Sequence, residues 1–174
     1  MTKRKWRKIL PMPAPISNSS PLIHLAKIGK LELLRQYYER IIIPDAVFRE
    51  CVSEGGDRPE AALIRNAEWI VVKSVIDRNL VKLLKSSLDA GESEAIALAL
   101  EEKSELILLD ESDAREKARL YGFKITGAIG ILLRAKMDGK IVSLRDSLSS
   151  LKQSGFWIKD SFESRLIREV GEEQ

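Results

Sequence analysis

The sequence contains too few cysteines and histidines for several classes of protein. Among 174 residues there is one cysteine, Cys51, and one histidine, His24. Cys51 has no partner for an internal disulfide, which is typical of a reducing compartment. Together the two residues fall short of the ligands of a closed zinc site. Any metal is therefore expected to be a hard cation held by oxygen ligands, Mg²⁺ or Mn²⁺.

Long apolar runs are also missing from the sequence. No stretch approaches the roughly 20 apolar residues of a spanning helix, and the basic residues 1–10 lack the apolar centre of a secretory signal. We therefore expect a cytoplasmic protein without a membrane segment. Its net charge of +3 is small, so the charge permits a polyanionic partner without requiring one.

What the chain does contain indicates one folded domain with two flanking segments. Hydrophobic residues make up 44% and charged residues of mixed sign 32% of the sequence, which is a globular composition. Residues 1–14 form a basic tail, which is either a flexible leader or an arm that contacts phosphates. Residues 15–140 form the main domain. Residues 141–174 add helices packed on the same domain, with Trp157 docking the last of them.

Short apolar strands alternate with helices along the main domain. The predicted strands lie at residues 14–16, 41–43, 69–72, 106–109 and 123–125. Short strands without polar alternation suit a parallel sheet that is covered on both faces. The sequence therefore predicts an α/β fold of three layers, with a central, mostly parallel sheet of four to five strands flanked by helices.

Polar side chains follow two of these strands. Asn18 follows the first strand and Asp110 the fourth, while Glu50 and Glu94 lie on helices that can lean over the same edge. The carboxyl ends of parallel strands are where ligands bind in open α/β sheets. Clustered carboxylates repel one another unless a divalent cation compensates them. A magnesium site is expected if these residues converge, and sequence spacing alone does not bring them together.

Other polar residues have structural explanations. Asp89 and Glu92 have the spacing of a capping box, and Ser20 can cap a helix whose first residue is Pro21. His24 has no acid near it in sequence, so packing or surface exposure explains it better than catalysis.

Five segments, in order, carry a resemblance to a known family. They are residues 17–23 (SNSSPLI), 43–50 (IPDAVFRE), 91–99 (GESEAIALA), 108–110 (LLD) and 126–136 (TGAIGILLRAK). In this order and at these separations the chain resembles the PIN-domain superfamily, which includes the VapC-like toxin ribonucleases of prokaryotic toxin–antitoxin pairs. It resembles most a branch with an S-N-x-S-P-L start and a T-G-x-x-G-x-L-L-x-A-K motif.

The resemblance implies a set of metal ligands. Members bind one or two Mg²⁺ or Mn²⁺ ions, and by position the ligand and catalytic roles fall on Asn18, Glu50, Glu94 and Asp110, with Asp113 as the alternate for the last. Most members have aspartate where this chain has Asn18. An amide oxygen can bind a cation but brings no negative charge, so a weaker or inactive site is implied.

The same resemblance implies a metal-dependent endoribonuclease. RNA phosphodiester bonds would be hydrolysed, with Ser20 near the scissile phosphate and Lys27, Arg49 and Arg115 along the RNA backbone. An antitoxin protein and a second copy in a homodimer are the further partners implied. Asn18 supports the alternative of a catalytically weakened domain that binds RNA or protein. A phosphoacceptor receiver domain is a third possibility, but it needs paired acids that residues 17–20 do not supply.

Overall fold

The fold is built on one parallel sheet. The computed structural model describes residues 13–173, so most of the predicted basic tail lies outside the described residues. Five strands pair in the order β3-β2-β1-β4-β5, all parallel. Their bounds are β1 Ile16–Ser17, β2 Ile41–Pro44, β3 Ile70–Lys73, β4 Leu106–Leu108 and β5 Lys124–Thr126. The predicted parallel sheet is confirmed.

Helices connect the strands and cover both faces of the sheet. They are α1 Ser19–Lys27, α2 Glu32–Tyr38, α3 Asp45–Phe48, α4 Pro59–Arg65, α5 Arg78–Leu84, α6 Ala90–Glu101, α7 Ser112–Leu120, α8 Ala128–Met137, α9 Leu144–Gln153 and α10 Asp160–Glu169. A π-helical segment, Arg49–Ser53, continues α3. The predicted three-layer α/β architecture is therefore confirmed. No helix among the described residues is long and apolar enough to cross a membrane.

The strands divide their side chains between two apolar clusters. In β2, Ile41 and Ile43 belong to the first cluster and Ile42 to the second. In β4, Leu108 belongs to the first cluster and Ile107 to the second. Successive strand residues point to opposite faces of a sheet, so a strand buried on both faces must be apolar throughout. This requirement explains the short unbroken apolar runs in the sequence.

The C-terminal helices pack on the first of these clusters. Leu148 and Leu151 of α9 and Leu166 and Ile167 of α10 are buried in it. These helices share the core of the strands, and the division into a main domain of residues 15–140 and an extension of residues 141–174 stays a prediction.

The carboxylate of Glu172, near the C-terminus, also stabilises the packing of the C-terminal helices. Glu172 accepts hydrogen bonds from the backbone N–H groups of Leu144 and Arg145, both at 2.8 Å, and pairs with Lys136 at 2.9 Å. Burial alone would raise the pKa of Glu172, but these hydrogen bonds lower it to about 2. Glu172 therefore joins the start of α9 to the end of α8.

The prediction that Trp157 docks the last helix is wrong. Its side chain is 81% exposed, whereas the neighbouring Ile158 is 5% exposed. Gly155, with φ of +97°, ends α9 in a left-handed turn. After this turn Phe156 and Ile158 face the apolar cluster, so Trp157 between them faces solvent.

Candidate active site

Asn18 lies at the junction of β1 and α1. Its backbone N–H donates to Leu108 O at 3.0 Å and so extends the pairing of β1 with β4. Asn18 occupies the N-cap position of α1, which begins at Ser19, so the predicted cap at Ser20 is wrong. Asparagine is among the best capping residues, yet its side chain makes no capping hydrogen bond here. The buried Asn18 side chain is therefore available for another role.

Glu50 approaches Asn18 from the π-helical segment after α3. Such segments occur frequently at functional sites. The hydroxyl of the buried Ser19 donates to Glu50 Oε2 at 2.6 Å and lies 3.5 Å from Asn18 Oδ1. Burial raises the pKa of Glu50, which the Ser19 hydrogen bond opposes and the nearby Asp89 carboxylate reinforces. Ser19 thus fixes the orientation of a carboxylate that is costly to ionise without a cation.

Gly91, in the first turn of α6, leaves the space that these oxygens occupy. A Cβ at this position would stand 2.5 and 2.7 Å from the two Glu50 carboxylate oxygens and 2.8 Å from Asn18 Oδ1. All three oxygens therefore converge on one point. Any side chain at residue 91 would displace at least one of them.

Asp110 follows β4, the strand that pairs with β1. Its Oδ1 accepts a hydrogen bond from Ala128 N–H, at the start of α8, at 2.8 Å. Its Oδ2 is buried and has no hydrogen-bond partner among the described residues. Burial raises the pKa of Asp110 to about 6, although the Ala128 amide and Arg115 act in the opposite direction. An unpartnered buried carboxylate oxygen is the feature that a bound cation would explain.

Glu94 is buried like Asn18 but makes different contacts. Its Oε2 accepts from Ala46 N–H in α3 at 2.9 Å, and its Oε1 pairs with Arg78 at 2.9 Å. Among residues 13–173 no hydrogen bond joins Glu94 to Asn18, Glu50 or Asp110. The structure therefore gives Glu94 two protein partners, and its role as a ligand stays a prediction.

The remaining predicted residues lie at different distances from these oxygens. Arg115 is beside Asp110 and donates to Leu109 O at 2.8 Å. Ser20 is half-buried, with its hydroxyl 3.5 Å from Glu111 Oε1, and Asp113 and Arg49 are exposed. Lys27 ends α1, so it is eight residues from Ser19, or about 12 Å along the helix axis. The structure does not bring Lys27 to the site.

The oxygens present suit a hard cation that keeps part of its water. Mg²⁺ is commonly held by one or two carboxylates, with water and substrate phosphate completing its shell. The oxygens of Glu50 and Asn18 lie together, and Asp110 follows the strand that pairs with β1, so these side chains are the candidates for such a set. In the part of the chain that the structure describes, no three His, Cys, Asp or Glu side chains form a group that could hold one ion. Two carboxylates and one amide fit a cation that keeps part of its water.

More negative charge lies along the same edge of the sheet. Burial raises the pKa of Glu92, and the carboxylates of Asp89, Glu111 and Asp113 raise it further. Asp89 and Glu92 form the predicted capping box, which is confirmed. The rim of the site is thus acidic, and a cation bound there would reduce the repulsion.

Sequence reasoning missed two residues of this site. Ser19 is one of several serines in residues 17–20, and nothing in the sequence separates its hydroxyl from the others. The position of Gly91 inside a predicted helix was a sequence signal for a close contact. A glycine there costs up to about 1 kcal/mol relative to alanine, so it usually has a packing or functional reason. The close approach of Glu50 and Asn18 is that reason.

The fold and the site define an α/β protein with buried carboxylate and amide side chains at the carboxyl edge of a parallel sheet. The chain belongs to the PIN-domain family, because the family model DUF3368, a PIN domain, matches residues 14–172. This match confirms the resemblance seen in the sequence. PIN domains have a nuclease-type fold and generally use divalent metal ions. No curated protein matches the chain.

Proposed function

We propose that this protein is a Mg²⁺- or Mn²⁺-dependent ribonuclease of the PIN type. The observation that supports the proposal best is the convergence of Glu50 and Asn18 oxygens on the space left by Gly91. Asp110, at the end of the adjacent strand, adds a buried oxygen that has no hydrogen-bond partner within residues 13–173. Burial raises the pKa of both Glu50 and Asp110, so the arrangement is unfavourable for the protein alone and favourable for a cation-binding site.

In this proposal Asn18, Glu50 and Asp110 hold the ion. Glu94 and Asp113 stay as the predicted further ligands, and Glu94 would have to exchange a protein hydrogen bond for the ion. A bound ion of this kind lowers the pKa of water and stabilises the charge that develops on a phosphate.

The chain's own groups orient the site and bind the substrate. Ser19 holds the Glu50 carboxylate, and the Ala128 amide holds one oxygen of Asp110. Arg115 uses one N–H on Leu109 O, and its guanidinium carries five such donors. The others remain for an RNA phosphate. Ser20 and Arg49 stay as predicted phosphate contacts nearby.

The test is cleavage of labelled single-stranded and structured RNA in Mg²⁺ or Mn²⁺. Asp110→Asn keeps the shape of the side chain and removes its charge, and we expect a loss of at least about 100-fold in cleavage rate. Glu116→Gln is the matched control, because it removes one exposed carboxylate from α7 outside the site. If Asp110→Asn cleaves RNA at the rate of the unaltered protein, the proposed site is refuted.

A second candidate function is a catalytically weakened PIN-like domain that binds RNA or a protein. Asn18 favours it, since it supplies an oxygen without the negative charge that aspartate would bring. If the protein binds RNA without cutting it and Asn18→Asp gains cleavage, the weakened domain is the correct assignment. Cleavage by the unaltered protein decides for the ribonuclease.

We further propose, from the family resemblance, that the protein is the toxin of a toxin–antitoxin pair and acts as a homodimer in the cytoplasm. Expression in a bacterial host tests the toxin role, because growth should stop and Asp110→Asn should restore it. Light scattering of the purified protein tests the dimer. Growth unaffected by an RNA-cleaving protein would refute the toxin role alone.

A further inference from the structure

A groove of about 780 Å³ opens beside Asp110. We call it the Trp157 groove; its lining includes Asp110, Arg115, Gly130, Phe156, Trp157 and Lys159. Its volume lies within the roughly 300–1,000 Å³ of ligand sites in proteins. Because Asp110 lines the groove and also belongs to the candidate active site, the groove continues that site toward the loop between α9 and α10.

One wall of the groove is a short segment fixed on both sides of Trp157. Phe156 N–H donates to Leu151 O at 3.0 Å and closes the turn after α9. The Phe156 ring packs edge-on against His24, with ring centroids 4.8 Å apart and an interplanar angle of 83°. Ile158 is buried on the other side. The backbone that carries Trp157 is therefore anchored, while the indole itself is 81% exposed.

Cationic side chains accompany this exposed ring. Lys159 is exposed and lies two residues after Trp157, and side chains two apart in an extended segment point to the same side. Arg115 lines the groove near Asp110. Exposed aromatic rings combined with cations are what single-stranded nucleic acid requires, since bases stack on the rings and the cations track the phosphates.

We propose that Trp157 stacks on a base of single-stranded RNA and that Lys159 binds an adjacent phosphate, so that the strand runs along the groove to Asp110. The inference rests on the proposed ribonuclease function, because it names the path of that enzyme's substrate. An apolar peptide from a partner protein could also cover a tryptophan. RNA is the better occupant, because the lining offers the cations Arg115 and Lys159 for phosphates, while its acids Asp110 and Glu111 lie at the candidate active site, where a cation would compensate them.

The experiment measures RNA binding without divalent metal, so that no cleavage occurs. Fluorescence anisotropy compares a labelled 12-nucleotide oligouridine with an abasic ribose-phosphate chain of the same length. Base stacking is worth enough per base that Trp157→Ala should weaken oligouridine binding by roughly 5- to 150-fold. Trp157→Phe keeps an aromatic face and should retain most of the affinity. Val142→Ala, which trims a side chain that is 93% exposed outside the groove, should have no effect.

The abasic chain isolates the contribution of the base. The unaltered protein should prefer oligouridine, and Trp157→Ala should lose that preference while binding the abasic chain as before. Equal affinities of the unaltered protein and Trp157→Ala for oligouridine would overturn the proposal. The proposal would also be overturned if the unaltered protein bound oligouridine and the abasic chain equally well, or bound neither of them.

Cleavage assays separate this inference from the proposed function. RNA that binds through Trp157 but is never cut in Mg²⁺ or Mn²⁺ supports the stacking contact and refutes the ribonuclease. RNA that is cut with the same KM by the unaltered protein and by Trp157→Ala overturns the stacking contact and supports the ribonuclease.

Discussion

Gly91→Ala is the change that tests the candidate site most directly. A Cβ at residue 91 would stand 2.5 to 2.8 Å from the oxygens of Glu50 and Asn18, whereas ordinary contacts begin at 3.4 Å. The oxygens must then move by about 0.6 to 0.9 Å. Binding and catalytic groups have to be held within about 0.5 Å of their working geometry, so this shift is large enough to disable the site.

The same change should leave the fold intact. Gly91 is in the first turn of α6 and is not among the glycines with positive φ, so alanine fits its backbone. Alanine also gains up to about 1 kcal/mol of helix propensity over glycine, which offsets part of the strain. We therefore expect Tm to change by less than about 4 °C, while Mn²⁺ affinity and RNA cleavage fall by about 10- to 100-fold.

Mn²⁺ titration by calorimetry, thermal unfolding and RNA cleavage measure these effects. Ser93→Ala is the matched control, because it alters the same turn of α6 and removes a buried hydroxyl that has no hydrogen-bond partner in the described part of the chain. It should leave Mn²⁺ affinity and RNA cleavage unchanged. If Gly91→Ala binds Mn²⁺ and cleaves RNA like the unaltered protein, the oxygens around residue 91 are not the metal site.

Three further predictions concern charge. Asn18→Asp should tighten Mn²⁺ binding by about tenfold or more, since it adds a charge beside Glu50; unchanged affinity in calorimetry would place the ion elsewhere. Glu94→Ala should lower Tm by roughly 4 to 12 °C, because the loss of a buried charged hydrogen bond costs about 2–3 kcal/mol. Arg78→Ala should lower Tm by a smaller amount, because the buried Glu94 carboxylate loses its cationic partner but keeps the hydrogen bond from Ala46 N–H. An unaltered Tm of Glu94→Ala with lost Mn²⁺ binding would make Glu94 a ligand instead. Glu172→Gln should cost about 1–2 kcal/mol at pH 7. The pKa of Glu172 is lowered from 4.5 to about 2 in the folded protein, so its stabilisation is present above pH 4.5 and should disappear as the pH falls toward 2. Urea titrations of the unaltered protein and Glu172→Gln measure this. A difference in unfolding free energy between the two proteins that persists at pH 2 would refute the role of the Glu172 charge.

The sheet could be predicted from sequence because its physical requirement is local. A strand covered on both faces must be apolar at every position, and runs such as residues 41–43 and 106–109 meet that requirement within a few residues. The position of each strand in the sheet is not local. Residues 106–109 suit an interior strand, and β4 does pair with a strand on each side, but nothing in the run itself shows that these neighbours are β1 and β5. The apolar content of a strand indicates that it is buried, but it does not indicate which strands lie next to it.

The candidate site was predictable in its residue types and less so in its contacts. Asn18 and Asp110 follow paired strands, so topology alone brings them to one edge. The contact of Glu50 depends on a π-helical segment, and no sequence pattern that we recognise marks it. Trp157 shows the same limit, since an aromatic residue between helices is usually buried and here a single glycine turn exposes it.

Glu94 has two protein partners that bear on its role in the candidate site. Its carboxylate accepts a hydrogen bond from Ala46 N–H, at the start of the helix that carries Glu50 four residues later. A negative charge at a helix N-terminus stabilises the helix and fixes its first turn. This contact suits a positioning residue that acts through Glu50, as the alternative to the predicted ligand role. On that account Glu94→Gln, which can still accept the hydrogen bond, should keep Mn²⁺ affinity close to that of the unaltered protein, whereas for a direct ligand the lost charge would lower it.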